Sequence, residues 1–179
     1  SALWGETIEL RTWARGVQAL YALRDFEVLC NGFTLACGAS FWLVIDAKTR
    51  RPQRLDSLLH HVPFLPDNAL CKENHQIESS IKHYNQSKQL KPSYSDLDFN
   101  LHVNNTRYIR WVIDSYKLNF LREHELKEMQ IQYFAEVRYE DDVEIVTEDR
   151  SDTVFMHTIR RLHDSKDLCR LSAVWKKTN

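Results

Sequence analysis

The stretch Y-S-D-L-D-F-N-L-H-V-N-N-T-R-Y-I-R-W-V-I-D-S-Y, residues 94–116, decides the fold of this 179-residue chain. It begins with acids and amides around one histidine and then becomes strongly apolar with a helical repeat. A helix that is apolar over most of its circumference is usually buried, so we expect a buried helix here. Its apolar residues follow the spacing i, i+3, i+4, i+7 and i+11: Ile109, Val112, Ile113, Tyr116 and Phe120.

The polar residues before this helix form a candidate reaction site. Asn104 and Asn105 are suitable caps for the helix start. Asp98, Asn100 and His102 therefore lie just before, or at, its N-terminus. Unpaired backbone N–H groups at that end of a helix favour negative charge. The stretch predicts a site that can stabilise an oxyanion.

Composition excludes several classes of protein. Lys plus Arg (24) nearly cancels Asp plus Glu (25), so no global field favours nucleic acid or a membrane surface. No apolar run is long enough to span a membrane, and the N-terminus lacks a signal-peptide core. The cysteines show no metal-ligand spacing and are expected to be reduced thiols without a metal. They are Cys30, Cys37, Cys71 and Cys169.

Strand patterns surround the helix on both sides. Asn31-Gly32 is a strong hairpin signal between two alternating segments. One helix followed by a meander of strands is typical of an α+β fold with a sheet wrapped around a central helix. We predict a first sheet unit (1–70) without a long helix, a polar connector (71–93) and a second unit (94–179). Predicted strands cover 6–15, 19–30, 33–45, 129–139, 142–149, 153–162 and 168–176, with a charged turn at 121–128.

The central motif D-L-D-F-N-L-H-V-N-N-T-R-Y-I-R-W-V resembles the signature of the acyl–acyl carrier protein (acyl-ACP) thioesterases. Weaker matches stand in the family's order along nearly the whole chain. They are T-W at 12–13, R-D-F at 24–26, S-F-W at 40–42, T-R-R-P at 49–52 and Y-F-A-E-V at 133–137.

The resemblance implies two hot-dog domains in tandem, with the first lacking its helix in this chain. It also implies that the chain starts inside the first hot-dog domain, because family members usually carry a strand and a long helix before W-G-E-T-I-E-L. The expected activity is hydrolysis of acyl-ACP, which releases a free fatty acid in fatty acid biosynthesis. No cofactor is expected, since the substrate carries its own phosphopantetheine arm.

Carried over residue by residue, the resemblance implies a catalytic set of Asp98, Asn100, His102 and Glu136. Glu136, expected on the first strand after the helix, would take the proton of a water molecule. His102 would orient that water or protonate the leaving thiolate, and the reverse assignment fits the sequence equally well. The backbone N–H groups of Val103 and Asn104 are expected to hold the oxyanion. Asn100 would position the thioester or the water, and Asp98 would fix the local hydrogen bonds.

One position departs from the family pattern. Some members carry a cysteine directly after the acidic residue, but here that position is Val137. A covalent Cys–His route therefore lacks its thiol, and activation of water fits better.

The substrate needs an apolar slot and a docking surface for its carrier. We expect the slot in the first unit, between its sheet and the helix that this chain lacks. Its candidate aromatic residues are Trp13, Phe26, Phe41 and Trp42. The basic cluster Arg50, Arg51 and Arg54 is a candidate docking surface for the acidic carrier protein.

Other functions remain open on the sequence. An acyl-CoA thioesterase would share the chemistry without the carrier. A hot-dog hydratase would need a different spacing around its histidine, and a non-catalytic acyl-thioester binding module would not need all four polar residues. The compartment is expected to be the bacterial cytoplasm, or a plastid if a transit segment was removed. A homodimer is optional because two hot-dog units already form an internal pseudo-dimer.

Overall fold

The computed structural model describes residues 2–46, 48–49, 51–55, 61–65, 77, 81 and 83–178. The chain forms two compact units, Ser1–Asn74 and His75–Asn179. The strands are β1 (Ile8–Gln18), β2 (Tyr21–Cys30), β3 (Phe33–Leu43), β4 (Gln86–Leu90), β5 (His124–Tyr133), β6 (Val143–Ser151), β7 (Val154–Arg161) and β8 (Asp167–Lys177). The α-helices are α1 (Asn105–Ile113) and α2 (Leu118–Glu123).

The first unit contains an antiparallel sheet with the order β1–β2–β3. Asn31 and Gly32 join β2 to β3, with φ angles of 51° and 80°. Positive φ at both central residues is the geometry of a tight hairpin whose twist matches the flanking strands. The predicted Asn-Gly hairpin is therefore confirmed. The described residues of this unit form strands and turns, and no helix lies among them.

The second unit places α1 against a five-stranded antiparallel sheet with the order β4–β6–β7–β8–β5. Tyr108 and Val112 of α1 are fully buried in a cluster with strand residues such as Ile145 and Leu171. Of the apolar stripe read from the sequence, Val112 is buried in this cluster, while its other members are only partly buried against it. The buried face of α1 is centred on Tyr108, Trp111 and Val112. The predicted α+β arrangement of a central helix and an antiparallel sheet is confirmed.

The end of the predicted connector, 71–93, belongs to the second sheet. Its residues Gln86–Leu90 form β4, which pairs antiparallel with β6. The segment Q-S-K-Q-L lacks an apolar alternation because β4 is an edge strand whose side chains are largely exposed. Sequence periodicity therefore gave no signal for this strand.

The predicted single helix through Phe120 is wrong, because two helices occur here. Asp114 ends α1, and the hydroxyl of Ser115 donates to the carbonyl of Val112 at 2.6 Å. This local bond satisfies a carbonyl at the helix end and allows the chain to turn. Tyr116 lies in the break and Phe120 lies on α2, yet both still pack against the core cluster.

The predicted turn at 121–128 is also wrong. Its first three residues complete α2, and β5 starts at His124. Charged residues there suggested a loop, but β5 is an edge strand that tolerates exposed charge on its outer side.

A buried hydrogen-bonded chain secures the break between the helices. Trp175 Nε1 donates to Tyr116 Oη at 3.1 Å, and that hydroxyl lies 2.7 Å from His157 Nε2. His157 Nδ1 lies 2.9 Å from Thr147 Oγ1. An indole N–H can only donate, so Tyr116 Oη accepts from Trp175, and the tautomer of His157 sets the direction of its bonds to Tyr116 and Thr147. Burial lowers the pKa of His157 to about 4.

This buried histidine predicts an acid-sensitive fold. The unfolded chain binds a proton at His157 below pH ~6.5, whereas the folded chain does so only near pH 4. Stability should therefore fall as pH drops from about 6.5 to about 4, by about 3 kcal/mol in total from this group. Urea unfolding at pH 7, 6 and 5 measures this slope. His157→Gln should flatten it, whereas His163→Gln, at an exposed position, should leave it unchanged; equal slopes in all three proteins would contradict the assignment.

Candidate active site

The loop from Asp98 to His102 is closed by bonds to one aspartate. Asp98 Oδ1 accepts the backbone N–H groups of Asn100 at 2.8 Å and of His102 at 3.2 Å. The Asp98 N–H donates to the His102 carbonyl at 2.8 Å. Leu101 adopts a φ of 61°, in the left-handed region that non-glycine residues rarely occupy. The carboxylate and this turn together fix where the His102 backbone lies.

His102 and Glu136 lie next to each other although 34 positions separate them in the sequence. The distance from His102 Nε2 to Glu136 Oε2 is 3.6 Å, and the two side chains are 30% and 44% exposed. This separation is slightly longer than a direct hydrogen bond. Both groups are thus adjacent and accessible to solvent, as a pair acting on water would have to be. Asn100 precedes His102 by two positions on the same loop, and it is exposed.

Glu136 does not lie on the first strand after the helix, as the sequence had suggested. β5 ends at Tyr133, and the N–H groups of Phe134 and Ala135 both donate to the carbonyl of Leu168. Two donors sharing one acceptor break the regular ladder, so the chain leaves the sheet at this point. Glu136 therefore lies on an irregular segment after β5.

That irregular segment is held by α1 and by the loop before it. The N–H of Val137 donates to Tyr108 Oη at 3.1 Å, and its carbonyl accepts the N–H of Val103 at 2.9 Å. His102 and Arg138 form an isolated antiparallel pair beside these bonds. Val137 is completely buried, so its neighbour Glu136 is directed outward.

The start of α1 differs in detail from the expected oxyanion site. Asn104 caps the helix, as predicted, and its side chain accepts the N–H of Thr106 at 2.9 Å. However, the N–H of Val103 donates to Val137 and the N–H of Asn104 donates to the Asp96 carbonyl at 2.9 Å. Neither group is available for an oxyanion in this geometry. The assignment of Val103 and Asn104 as oxyanion donors is therefore wrong for this structure.

The sequence analysis missed Asp96, a buried residue next to the Asp98–His102 loop. Asp96 is buried, and its Oδ2 accepts the N–H of Ser93 at 2.8 Å and its hydroxyl at 2.7 Å. Arg107 of α1 approaches Asp96 Oδ1 at 3.6 Å and donates to the Ser95 carbonyl at 2.7 Å. The segment S-Y-S-D at 93–96 has the spacing of a capping box, a signal that was present in the sequence.

The four aromatic residues expected to line an acyl slot lie on two faces of the first sheet. Trp13 is opposite Asp25 in the β1–β2 register, whereas the adjacent residue Phe26 is opposite Thr12. Side chains alternate across a strand, so the two aromatics point to different sides. The register of β2 with β3 places Phe41 on the same face as Trp13, and Trp42 on the same face as Phe26. The four residues cannot all line one slot, which corrects the expectation.

A cavity of about 270 Å³ lies against the first sheet beside Trp42. Ala14 and Ala22 contribute small side chains to its lining, and Phe64 contributes an aromatic ring. Of the four predicted slot residues, Trp42 is the one that lines this cavity.

Two of the three basic residues predicted to dock a carrier can be placed. Arg51 and Arg54 are exposed, while Arg50 lies outside the described residues. In the part of the chain that the structure describes, no helix is long and apolar enough to cross a membrane.

Two family models match this chain. A family model described as the acyl-ACP thioesterase C-terminal domain matches residues 73–177. A second model, described as the acyl-ACP thioesterase N-terminal domain, matches residues 2–60. Because the first model alone covers more than half of the chain, the chain belongs to the acyl-ACP thioesterase family.

Curated relatives carry corresponding names. The chain is 27% identical to oleoyl-acyl carrier protein thioesterase 1, chloroplastic, of Arabidopsis thaliana, over 97% of this chain and 56% of that protein. It is 30% identical to a palmitoyl-acyl carrier protein thioesterase, chloroplastic, of Cuphea hookeriana, over 98% and 45%. The chain thus spans about half the length of the curated relatives it matches.

Solved structures share the fold. The 12:0-ACP thioesterase from Umbellularia californica superposes with a TM-score of 0.88 at 20% identity, over 99% of this chain and 70% of that chain. An acyl-ACP thioesterase from Bacteroides thetaiotaomicron gives a TM-score of 0.82 at 23% identity, over 96% and 69%. These likenesses show the tandem hot-dog fold predicted from the sequence.

The bonds made by Asp98 predict how the loop responds to substitution. Asp98→Ala removes the acceptor of two backbone N–H groups and should lower the free energy of unfolding by about 1–3 kcal/mol. Asp98→Asn keeps an oxygen acceptor and should retain most of the stability. Urea denaturation of the three proteins measures the difference. Equal stability of the alanine variant and the unsubstituted chain would mean that these bonds do not hold the loop.

Proposed function

We propose that this chain hydrolyses the thioester of acyl-ACP and releases a free fatty acid. The observation that carries the proposal is the 3.6 Å approach of His102 to Glu136 in a chain of the acyl-ACP thioesterase family. A neighbouring imidazole and carboxylate that are both open to solvent suit general acid–base catalysis on water. The named relatives act on oleoyl- and palmitoyl-acyl carrier proteins, which supports the same class of substrate.

The proposed reaction divides the chemistry between the two groups. Glu136 takes a proton from a water molecule, and the resulting hydroxide attacks the thioester carbonyl. The bond from carbon to sulphur then breaks, and the leaving thiolate takes a proton from His102. The opposite assignment of base and acid is compatible with the same geometry. The amide of Asn100 is proposed to donate to the carbonyl oxygen of the substrate, since the N–H groups of Val103 and Asn104 are already bonded.

Two positions near the candidate site, Val137 and Cys169, support water as the nucleophile. Val137 occupies the position where some family members carry a thiol, and it is buried. Cys169 is also completely buried, and this burial raises the pKa of its thiol. A thiol in that state is a poor nucleophile, because the thiolate is the reactive form.

The proposal extends to the substrate's two ends. The cavity beside Trp42 is a candidate contact for part of the acyl chain, and Arg51 and Arg54 are candidate contacts for the acidic carrier. This function belongs where acyl carrier protein is found, in the bacterial cytoplasm or in a plastid.

Single substitutions of the pair test the catalytic assignment. His102→Ala and Glu136→Ala should each abolish turnover of acyl-ACP, because each removes one proton-transfer group. Release of free thiol from acyl-ACP measures the rate, and circular dichroism checks that the variants fold.

The matched controls are His163→Ala and Glu140→Ala, which remove the same side-chain types from exposed positions. Both should retain normal rates. Near-normal hydrolysis by the His102 or Glu136 variant would reject the proposed mechanism. Absence of thiol release by the unsubstituted chain would reject the proposed function.

Charge reversal tests carrier docking. Arg51→Glu together with Arg54→Glu should raise the KM for acyl-ACP and weaken its salt dependence, since exposed charges steer an oppositely charged partner. The same acyl chain on coenzyme A serves as the control, and its KM should not change. An unchanged KM for acyl-ACP at low salt would remove these arginines from the docking surface.

A further inference from the structure

The peptide unit that joins Glu136 to Val137 is fixed at both of its polar groups. The carbonyl of Glu136 accepts a hydrogen bond from Arg161 Nη2 at 3.3 Å, and the N–H of Val137 donates to Tyr108 Oη at 3.1 Å. Two bonds in opposite directions hold the plane of a peptide unit, since rotation would break both. The direction in which the Glu136 side chain leaves the backbone is therefore set by these bonds.

Tyr108 makes its bond from inside the core. Both Tyr108 and Val137 are buried, and the N–H of Val137 bonds to no other group among the described residues. Phenylalanine would fill the same space without an acceptor, leaving a buried N–H unpaired. Burial also raises the pKa of Tyr108 to about 12, so the hydroxyl stays neutral near neutral pH.

A bond from the loop just before α1 positions the other member of the pair, His102. His102 directly precedes Val103, whose N–H donates to the carbonyl of Val137 at 2.9 Å. Tyr108 lies one turn into α1, which starts two residues after Val103. Val137 therefore connects the two members of the pair. It is the next residue after Glu136, and its carbonyl bonds to Val103, the next residue after His102. Its N–H is held by Tyr108.

We propose that Tyr108 is a positioning residue for the acid–base pair. It touches neither the substrate nor the reacting atoms; its hydroxyl holds Val137 so that the carboxylate of Glu136 stays beside His102. This inference rests on the proposed thioesterase function. It adds a buried residue of α1 to a site that is otherwise made by a loop and an irregular segment.

Tyr108→Phe tests the inference, with Tyr133→Phe as the matched control. Tyr133 packs edge-on against Tyr108, with ring centroids 5.4 Å apart, and its hydroxyl donates to the Asn105 carbonyl at 2.9 Å. Each variant thus loses one hydroxyl and one bond to a backbone group, which is the N–H of Val137 for Tyr108 and the carbonyl of Asn105 for Tyr133. The Tyr108 hydroxyl bonds to Val137, the residue next to Glu136, whereas the Tyr133 hydroxyl bonds from the end of β5 to Asn105.

Two readouts separate positioning from a general loss of stability. In Tyr108→Phe, kcat for acyl-ACP should fall about 10- to 100-fold with KM nearly unchanged, because misplacement of a reacting group slows chemistry rather than binding. Amide hydrogen exchange of Val137 should become faster in the same variant. Tyr133→Phe should keep the kcat and the Val137 exchange rate of the unsubstituted chain.

Each contrary result has a distinct meaning. A normal kcat in folded Tyr108→Phe overturns the positioning inference, and so does a reduced kcat with unchanged Val137 exchange. An equal loss of kcat in both tyrosine variants also overturns it. If the unsubstituted chain releases no thiol, the proposed function fails instead, and exchange alone then shows whether Tyr108 holds Val137.

Discussion

The burial of α1 against the five-stranded sheet is the interaction on which the second unit depends. Tyr108, Trp111 and Val112 are buried in one cluster with residues of three strands, β6, β7 and β8. Burying each large apolar side chain contributes about 1.5–3 kcal/mol, so this contact fixes the helix firmly. The loop before α1 bonds to the irregular segment after β5 through Val103 and Val137, just before the start of this helix. The arrangement of the candidate site thus follows from the packing of the core.

Local sequence patterns were sufficient for features that depend on neighbouring residues. The Asn-Gly turn, the apolar stripe of α1 and the alternation of β6 to β8 each depend on residues a few positions apart. The break between α1 and α2 was not predictable in this way. Besides the local bond of Ser115, the break is held by Tyr116 bonding to His157 and Trp175, which lie 41 and 59 positions further along the chain. Edge strands β4 and β5 were missed or misplaced because their exposed side chains carry little apolar pattern.

The candidate site shows the same division between local and distant information. The residues of the Asp98–His102 loop were found because they are contiguous and stand before an apolar helix. Glu136 was singled out by family resemblance, and its neighbours alone suggested a regular strand. The shared carbonyl of Leu168, 32 positions later, takes the chain out of the sheet. The expected oxyanion donors failed for a related reason, since Val103 and Asn104 bond to carbonyls that only the folded chain brings near.

The position of Glu136 outside the regular ladder of β5 has a consequence for local fluctuations. Among the strands that the structure describes, β5 pairs only with β8 and lies at the edge of the sheet. Edge strands open more readily than central elements, because fewer bonds must break at once. Fraying at the far end of β5, near His124, is separated from Glu136 by the whole length of the strand and by the bonds at Val137. Local opening of β5 near His124 therefore leaves the distance between the imidazole of His102 and the carboxylate of Glu136 unchanged.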